Sequence, residues 1–210
     1  MLRLASIVEG HGELEAVPIL IRRIAQTLDP ALVPEVHPII RVPAAKLVRP
    51  GEIERAVQFT ARAIAGQGGI LVLLDCDDGC PAHDGPALLA RAQRARPDVP
   101  VSVVLAKREF EAWFLAAAIS LRGQRGLLSN LMPPSDPEAI RGAKEWLQDR
   151  MAPGRSYTVA TDQPALAATF DLQAARRADS FDKCHREIVR LLDQLRHAPP
   201  GGGGPGGVFT

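Results

Sequence analysis

Residues 69–79 read GILVLL followed by Asp75-Cys76-Asp77-Asp78-Gly79, and this stretch decides the fold class. An apolar run without polar interruption is what a central parallel strand covered on both faces looks like. Its abrupt end in a turn loaded with acids marks the carboxyl end of that strand. Working outward, residues 2–8 (LRLASIV) form a second short apolar run that stops at Glu9-Gly10-His11-Gly12. Residues 99–105 (VPVSVVL) form a third. Residues 36–42 offer a further strand, made imperfect or confined to a sheet edge by Pro38.

Between these runs the apolar residues recur at helical spacing. Leu14, Val17, Ile21, Ile24 and Leu28 predict a helix that starts near Val17 or is kinked at Pro18. Residues 50–65 and 84–95 predict two more, and residues 108–121 (REFEAWFLAAAISL) a strongly apolar one. Strands alternating with helices imply an α/β fold with a mostly parallel sheet flanked by helices. After Gly123 the alternation stops. A helix over residues 135–151, with Ser135 as its cap, an irregular or short-helical stretch over 157–178 and an amphipathic helix over 180–197 form a helical extension. The expected organisation is therefore an α/β domain over residues 1–121, the extension over 122–197 packed on it, and a flexible Gly/Pro-rich tail over 198–210.

Composition excludes several classes. The 210 residues are 46% hydrophobic and 23% charged, ordinary for a folded protein and unlike a disordered one. A net charge of +1 rules out a strongly basic nucleic-acid binder but not local arginine clusters such as Arg176, Arg177, Lys183, His185 and Arg186, for which a solvated helix face is the default. No apolar run is long enough for a membrane span, and the expected location is the cytoplasm. The three cysteines are an odd count that fits reduced thiols. Cys76, Cys80 and His83 have the spacing of zinc ligands, but the run supplies no fourth.

Acids gather where strands end. Glu9 and Glu13 bracket the first strand-to-helix turn, where the intervening glycines let the backbone turn tightly and admit a ligand. A plain loop, with Glu13 favouring the helix N-terminus, explains that pair equally well. Asp75, Asp77 and Asp78 follow the most apolar strand, and like charges so close favour a hard divalent cation, although a solvated acidic loop is the alternative. Lys107, Glu109 and Glu111 follow the third run. Two residues apart on a helix, Glu109 and Glu111 cannot share a face, so Glu109 is expected to point away and Glu111 inward. Lys107 is placed to meet a phosphate or a leaving oxygen. Trp113 and Phe114 are expected in the core. In an open α/β sheet, acids at the carboxyl ends of separate strands converge on one edge, which is where ligands bind.

Glu9, with E-G-x-x-E continued to Glu13, and Asp75-x-Asp77 after a later apolar strand resemble the TOPRIM domain of topoisomerases, primases and overcoming-lysogenization-defect nucleases. The V-E-G-x-x-E form is most similar to the nuclease branch. V-E-G-x-x-E, D-x-D-D-x-C-P, R-E-F-E-x-W-F-L and the late pair Ser180-Phe181 further resemble a bacterial TOPRIM-related family of unknown function. The resemblance implies Glu9, Asp75 and Asp77 as metal ligands or an acid/base, Glu13 and Glu111 at a second ion, and Mg²⁺ or Mn²⁺ as the cofactor. It implies metal-dependent phosphodiester hydrolysis of DNA or RNA, in the setting of a bacterial defence-type system. The alternative is a non-catalytic module that binds nucleotide, nucleic acid or a partner ATPase. The resembled nucleases carry their ATPase in the same chain, whereas this one has no phosphate-binding G-x-x-x-x-G-K-[ST] loop, so any ATPase is a separate subunit. Tyr157, the sole tyrosine, lies in the helical extension with no recognisable topoisomerase domain, which argues against strand passage. Receiver and D-x-D phosphatase chemistry fit less well, because both want acids after the first strand that this chain places late.

Overall fold

The computed structural model describes residues 2–197; the expected tail over 198–210 lies outside the described residues. Four strands, β1 (Arg3–Val8), β2 (Glu35–Arg41), β3 (Gly69–Cys76) and β4 (Val101–Lys107), form one sheet in the order β2-β1-β3-β4. Every pairing is parallel. The apolar runs are central because each of their residues faces helices on one side or the other. β2 is an edge strand, as Pro38 requires, and its register against β1 shifts between Leu4 and Ser6.

Alternation along the strands sorts the core into two layers. Ala5, Ile7, Ile70, Val72, Val103 and Leu105 pack under α2 (Ala44–Leu47), α3 (Glu52–Ala63) and α4 (Pro81–Ala95). Leu4, Val8, Leu71, Leu73, Val104 and Ala106 face the opposite layer. That layer contains α1 (Glu13–Leu28), α5 (Ala112–Ala116), α6 (Ala143–Gln148), α7 (Val159–Ala167), α8 (Leu172–Ala175) and α9 (Asp179–His197). The helical extension thus shares one continuous core with the sheet. Among the described residues no helix is long and apolar enough to cross a membrane.

Three expectations change. The first helix begins at Glu13 and runs through Pro18, whose ring is buried against the core. The expected helix over 108–121 is instead α5 followed by a 3-10 turn at Ala118–Leu121, because Arg108 takes a left-handed φ of 67° and delays the helix to Ala112. The helix expected over 135–151 divides into a 3-10 turn at Pro137–Ala139 and α6, broken by Gly142 at a φ of 74°. Asp136, not Ser135, caps that 3-10 turn, accepting the N–H groups of Glu138 and Ala139.

The extension is anchored by aromatic rings and one hydroxyl. Phe110, Trp113, Phe114, Phe170 and Phe181 are fully buried and stack mostly edge to face, joining the segment after β4 to α9. Trp113 and Phe114 are core residues, as their setting in the sequence suggests. Ser180 lies at the centre of this contact. Its Oγ accepts the indole N–H of Trp113 at 2.9 Å and the backbone N–H of Lys107 at 3.1 Å, and donates to Glu138 Oε1 at 2.5 Å. Replacing Ser180 with Ala strands a buried indole donor and weakens the hold on a buried carboxylate. We expect a loss of about 2–3 kcal/mol in urea unfolding; a loss below about 0.5 kcal/mol would show that this junction does not hold the extension.

Candidate metal centre at the strand ends

The carboxyl ends of β1, β3 and β4 are tied together by their own acids. Glu9, one residue past β1, accepts the backbone N–H of Asp75 through Oε2 at 3.1 Å. Asp75, the penultimate residue of β3, accepts the backbone N–H of Phe110 through Oδ1 at 2.9 Å. Glu13 folds back from the start of α1 and takes the N–H groups of Glu9 and Gly10 on Oε2 at 2.9 and 3.1 Å. The E-G-x-x-E loop is thereby held rigid by its second acid. Gly12 serves a close approach: a Cβ there would fall 2.1 Å from Gln163 Oε1 and 2.8 Å from the Val159 carbonyl oxygen. The space that the sequence offered to a ligand at this glycine is taken by the chain's own α7.

Glu109 and Glu111 both reach the site. The helical premise fails because Glu109 lies in the irregular turn that follows the left-handed Arg108, so the two side chains are not displayed on one helix. Both converge on Lys144, a residue that sequence analysis did not single out. Its ammonium stands 3.5 Å from Glu109 Oε2, 3.4 Å from Glu111 Oε2 and 3.9 Å from Asp75 Oδ2. Glu109 Oε2 also accepts the backbone N–H of Lys144 at 3.2 Å, fixing α6 against the strand ends. Glu111 is fully buried. Its Oε1 accepts Tyr157 Oη at 3.0 Å and Gln163 Nε2 at 3.2 Å, while its Oε2 accepts no hydrogen bond.

The remaining candidates stand further out. Asp77 is exposed, and its backbone carbonyl accepts from the Arg108 guanidinium. Asp78 pairs with Arg108 at 3.3 Å and Arg141 at 2.5 Å. Lys107 ends β4 opposite Cys76 and has no ion-pair partner among the described residues. In these side-chain positions, and among the described residues, no three Asp, Glu, His or Cys side chains gather closely enough to hold an ion. His83 of the cysteine-histidine run is paired with Asp84 at 2.9 Å, and Arg176 and Arg186 both pair with Asp182.

Charge is out of balance here. Burial pushes the Asp75 carboxyl well above the usual carboxylate range, and Glu13, Glu111 and Glu9 add to the effect against the pull of Lys144. Burial also raises Glu111 and Glu13, the latter in spite of its two backbone N–H donors. Burial alone would lower Lys144, but Glu111, Asp75 and Glu109 outweigh it and lift the ammonium above its ordinary value. The Tyr157 hydroxyl is raised by burial and by Glu111, so it remains a donor. One ammonium stands among Asp75, Glu109 and Glu111, with Glu9 and Glu13 as further acids at the same strand ends. The donors are all oxygen and outnumber the ammonium, which is the chemistry that suits a hard divalent cation, but as the side chains stand no three of them converge on one point among the described residues.

The match to known families covers this whole arrangement. The chain belongs to the DUF4276 family, a domain of unknown function, whose model matches residues 8–188. That span runs from the end of β1 through most of α9, so sheet, acid cluster and helical extension are one family unit. No curated protein and no solved structure matches the chain.

Sequence inspection reached Glu9, Glu13, Asp75 and Glu111, and missed Lys144 and Gln163. Each of those two sits in a short helix among other polar residues, and only the packing of α6 and α7 onto the strand ends gives it a role. Because the Asp75 pKa is raised on folding, stability from this group is greatest below its unfolded value of 3.8 and is lost as pH rises through the folded value. In chelator at pH 7, Asp75→Asn should therefore melt above wild type by about 2–4 °C, the shift that about 1 kcal/mol makes at this size. The gap should close as pH falls toward 4. A variant that melts below wild type throughout would assign Asp75 a purely structural role.

Proposed function

We propose that this carboxylate cluster holds Mg²⁺ or Mn²⁺ and that the protein hydrolyses phosphodiester bonds of nucleic acid. The observation that supports the reading is the pair Glu9 and Asp75, acids from two strand ends joined by a backbone hydrogen bond inside a cluster that carries more carboxylates than its single ammonium balances. Glu9 and Asp75 would be the first ligands, with Asp77 entering from its exposed loop and Glu13 and Glu111 bordering the site. A divalent ion held there would supply Lewis-acid activation of water and charge neutralisation at the leaving oxygen.

The chain's own residues account for the rest. Glu9 and Asp75 are held by backbone N–H groups, so their free oxygens are oriented before any ligand arrives. Lys107 at the end of β4, and Arg108 and Arg141, which share Asp78 as their ion-pair partner, are the basic residues near this edge, where a phosphate backbone would lie. Either DNA or RNA suits this edge, and any coupled ATPase would be a separate subunit within a defence-type system.

The test is incubation of the purified chain with supercoiled plasmid and with single-stranded DNA and RNA, in Mn²⁺, Mg²⁺ or chelator. Cleavage should appear with metal, vanish in chelator and fall about 100-fold or more in Asp75→Asn, since even outer partners of a metal site contribute about 10- to 100-fold. Nucleic-acid binding that is indifferent to chelator and unaccompanied by cleavage would favour the non-catalytic binding module.

A further inference from the structure

The feature that the proposed chemistry leaves unused is Lys144. Three carboxylates from two strand ends surround its ammonium, at 3.4, 3.5 and 3.9 Å. A charge-assisted hydrogen bond between ammonium and carboxylate is normally about 2.7–2.9 Å. Lys144 therefore does not form a tight pair with one acid; it stands among Asp75, Glu109 and Glu111, as a coordinated cation would.

Its position is built from more than one direction. Gly142, at a φ of 74°, starts α6 and directs it onto the strand ends, and the Lys144 backbone N–H is held by Glu109. The wall behind is fixed as well, because Tyr157 and Gln163 occupy Glu111 Oε1 and leave Oε2 directed toward the ammonium. That second oxygen belongs to a fully buried side chain and accepts no hydrogen bond. A buried carboxylate without a compensating partner is costly, so this part of the cluster requires a positive charge of some kind.

We propose that Lys144 is a built-in cation that fills the place a second divalent ion would otherwise take, so that the site binds a single ion on its Glu9 and Asp75 side. The inference rests on the reading of the cluster as a metal centre. It alters what the resemblance implies for Glu111, which faces the ammonium in place of a second ion. Glu13, whose Oε2 is spent on backbone N–H groups, braces the loop that carries Glu9.

Removing the charge at position 144 should open that place. Mn²⁺ binding, counted by electron paramagnetic resonance of the free ion and by calorimetry, should give one ion for wild type and two for Lys144→Met. Lys144→Gln, a second neutral variant whose amide can still donate to Glu111, should also bind two. Lys144→Arg keeps the charge and should bind one. In chelator both neutral variants should melt below wild type, and saturating Mn²⁺ should remove the difference, a readout independent of activity. One ion in wild type and in both neutral variants would overturn the role of Lys144 and leave the metal centre standing. Two ions in wild type, or none in the neutral variants beside one in wild type, would likewise overturn it. Absence of Mn²⁺ binding in every protein would overturn the metal centre and this inference together.

Discussion

Asp75 is the position on which the rest of the structure depends. Its N–H donates to Glu9 and its carboxylate accepts from the backbone of Phe110, so one residue joins the ends of β1, β3 and β4. The sheet alone would bring three strand ends to one edge. The two hydrogen bonds go further and fix one oxygen of each acid on backbone, while the other oxygen of Asp75 stands 3.9 Å from the Lys144 ammonium. Charged side chains held by fixed dipoles need little reorganisation when a cation arrives.

That arrangement carries an energetic cost, and the helical extension offsets it. Asp75 and Glu111 are carboxylates in a setting that favours their neutral forms. Lys144, Tyr157 and Gln163, all from the extension, supply the charge and donors that keep them acceptable inside the protein. The aromatic cluster and Ser180 hold the extension in place, so core packing next to the acids determines whether the acids are compensated. Sheet and extension are therefore energetically one unit, in agreement with a family match that spans both.

Much of this was legible in the sequence, for identifiable reasons. The GILVLL run and its acidic turn gave a central parallel strand, and the other apolar runs gave its neighbours, because burial on both faces leaves an unambiguous apolar signature. Glu9, Asp75 and Glu111 were legible because strand ends in a parallel sheet share an edge. The partners were not. Lys144 lies outside any strand-end motif, and its role follows from where the chain reverses at Gly142, a long-range packing outcome. Glu109 was misjudged because the left-handed Arg108 interrupts a segment whose apolar composition reads as continuous helix. Gly12 was legible as a special position, but its neighbour proved to be α7.

The central claim, that the strand-end acids form a cation site, has a direct structural test. Crystals grown in chelator and then soaked in Mn²⁺ can be measured at a wavelength where manganese scatters anomalously. The account predicts one anomalous peak within coordinating distance of Glu9 and Asp75, with the Lys144 ammonium remaining among Glu109, Glu111 and Asp75. Saturating Mn²⁺ without a peak there, or with peaks only elsewhere on the protein, would contradict it.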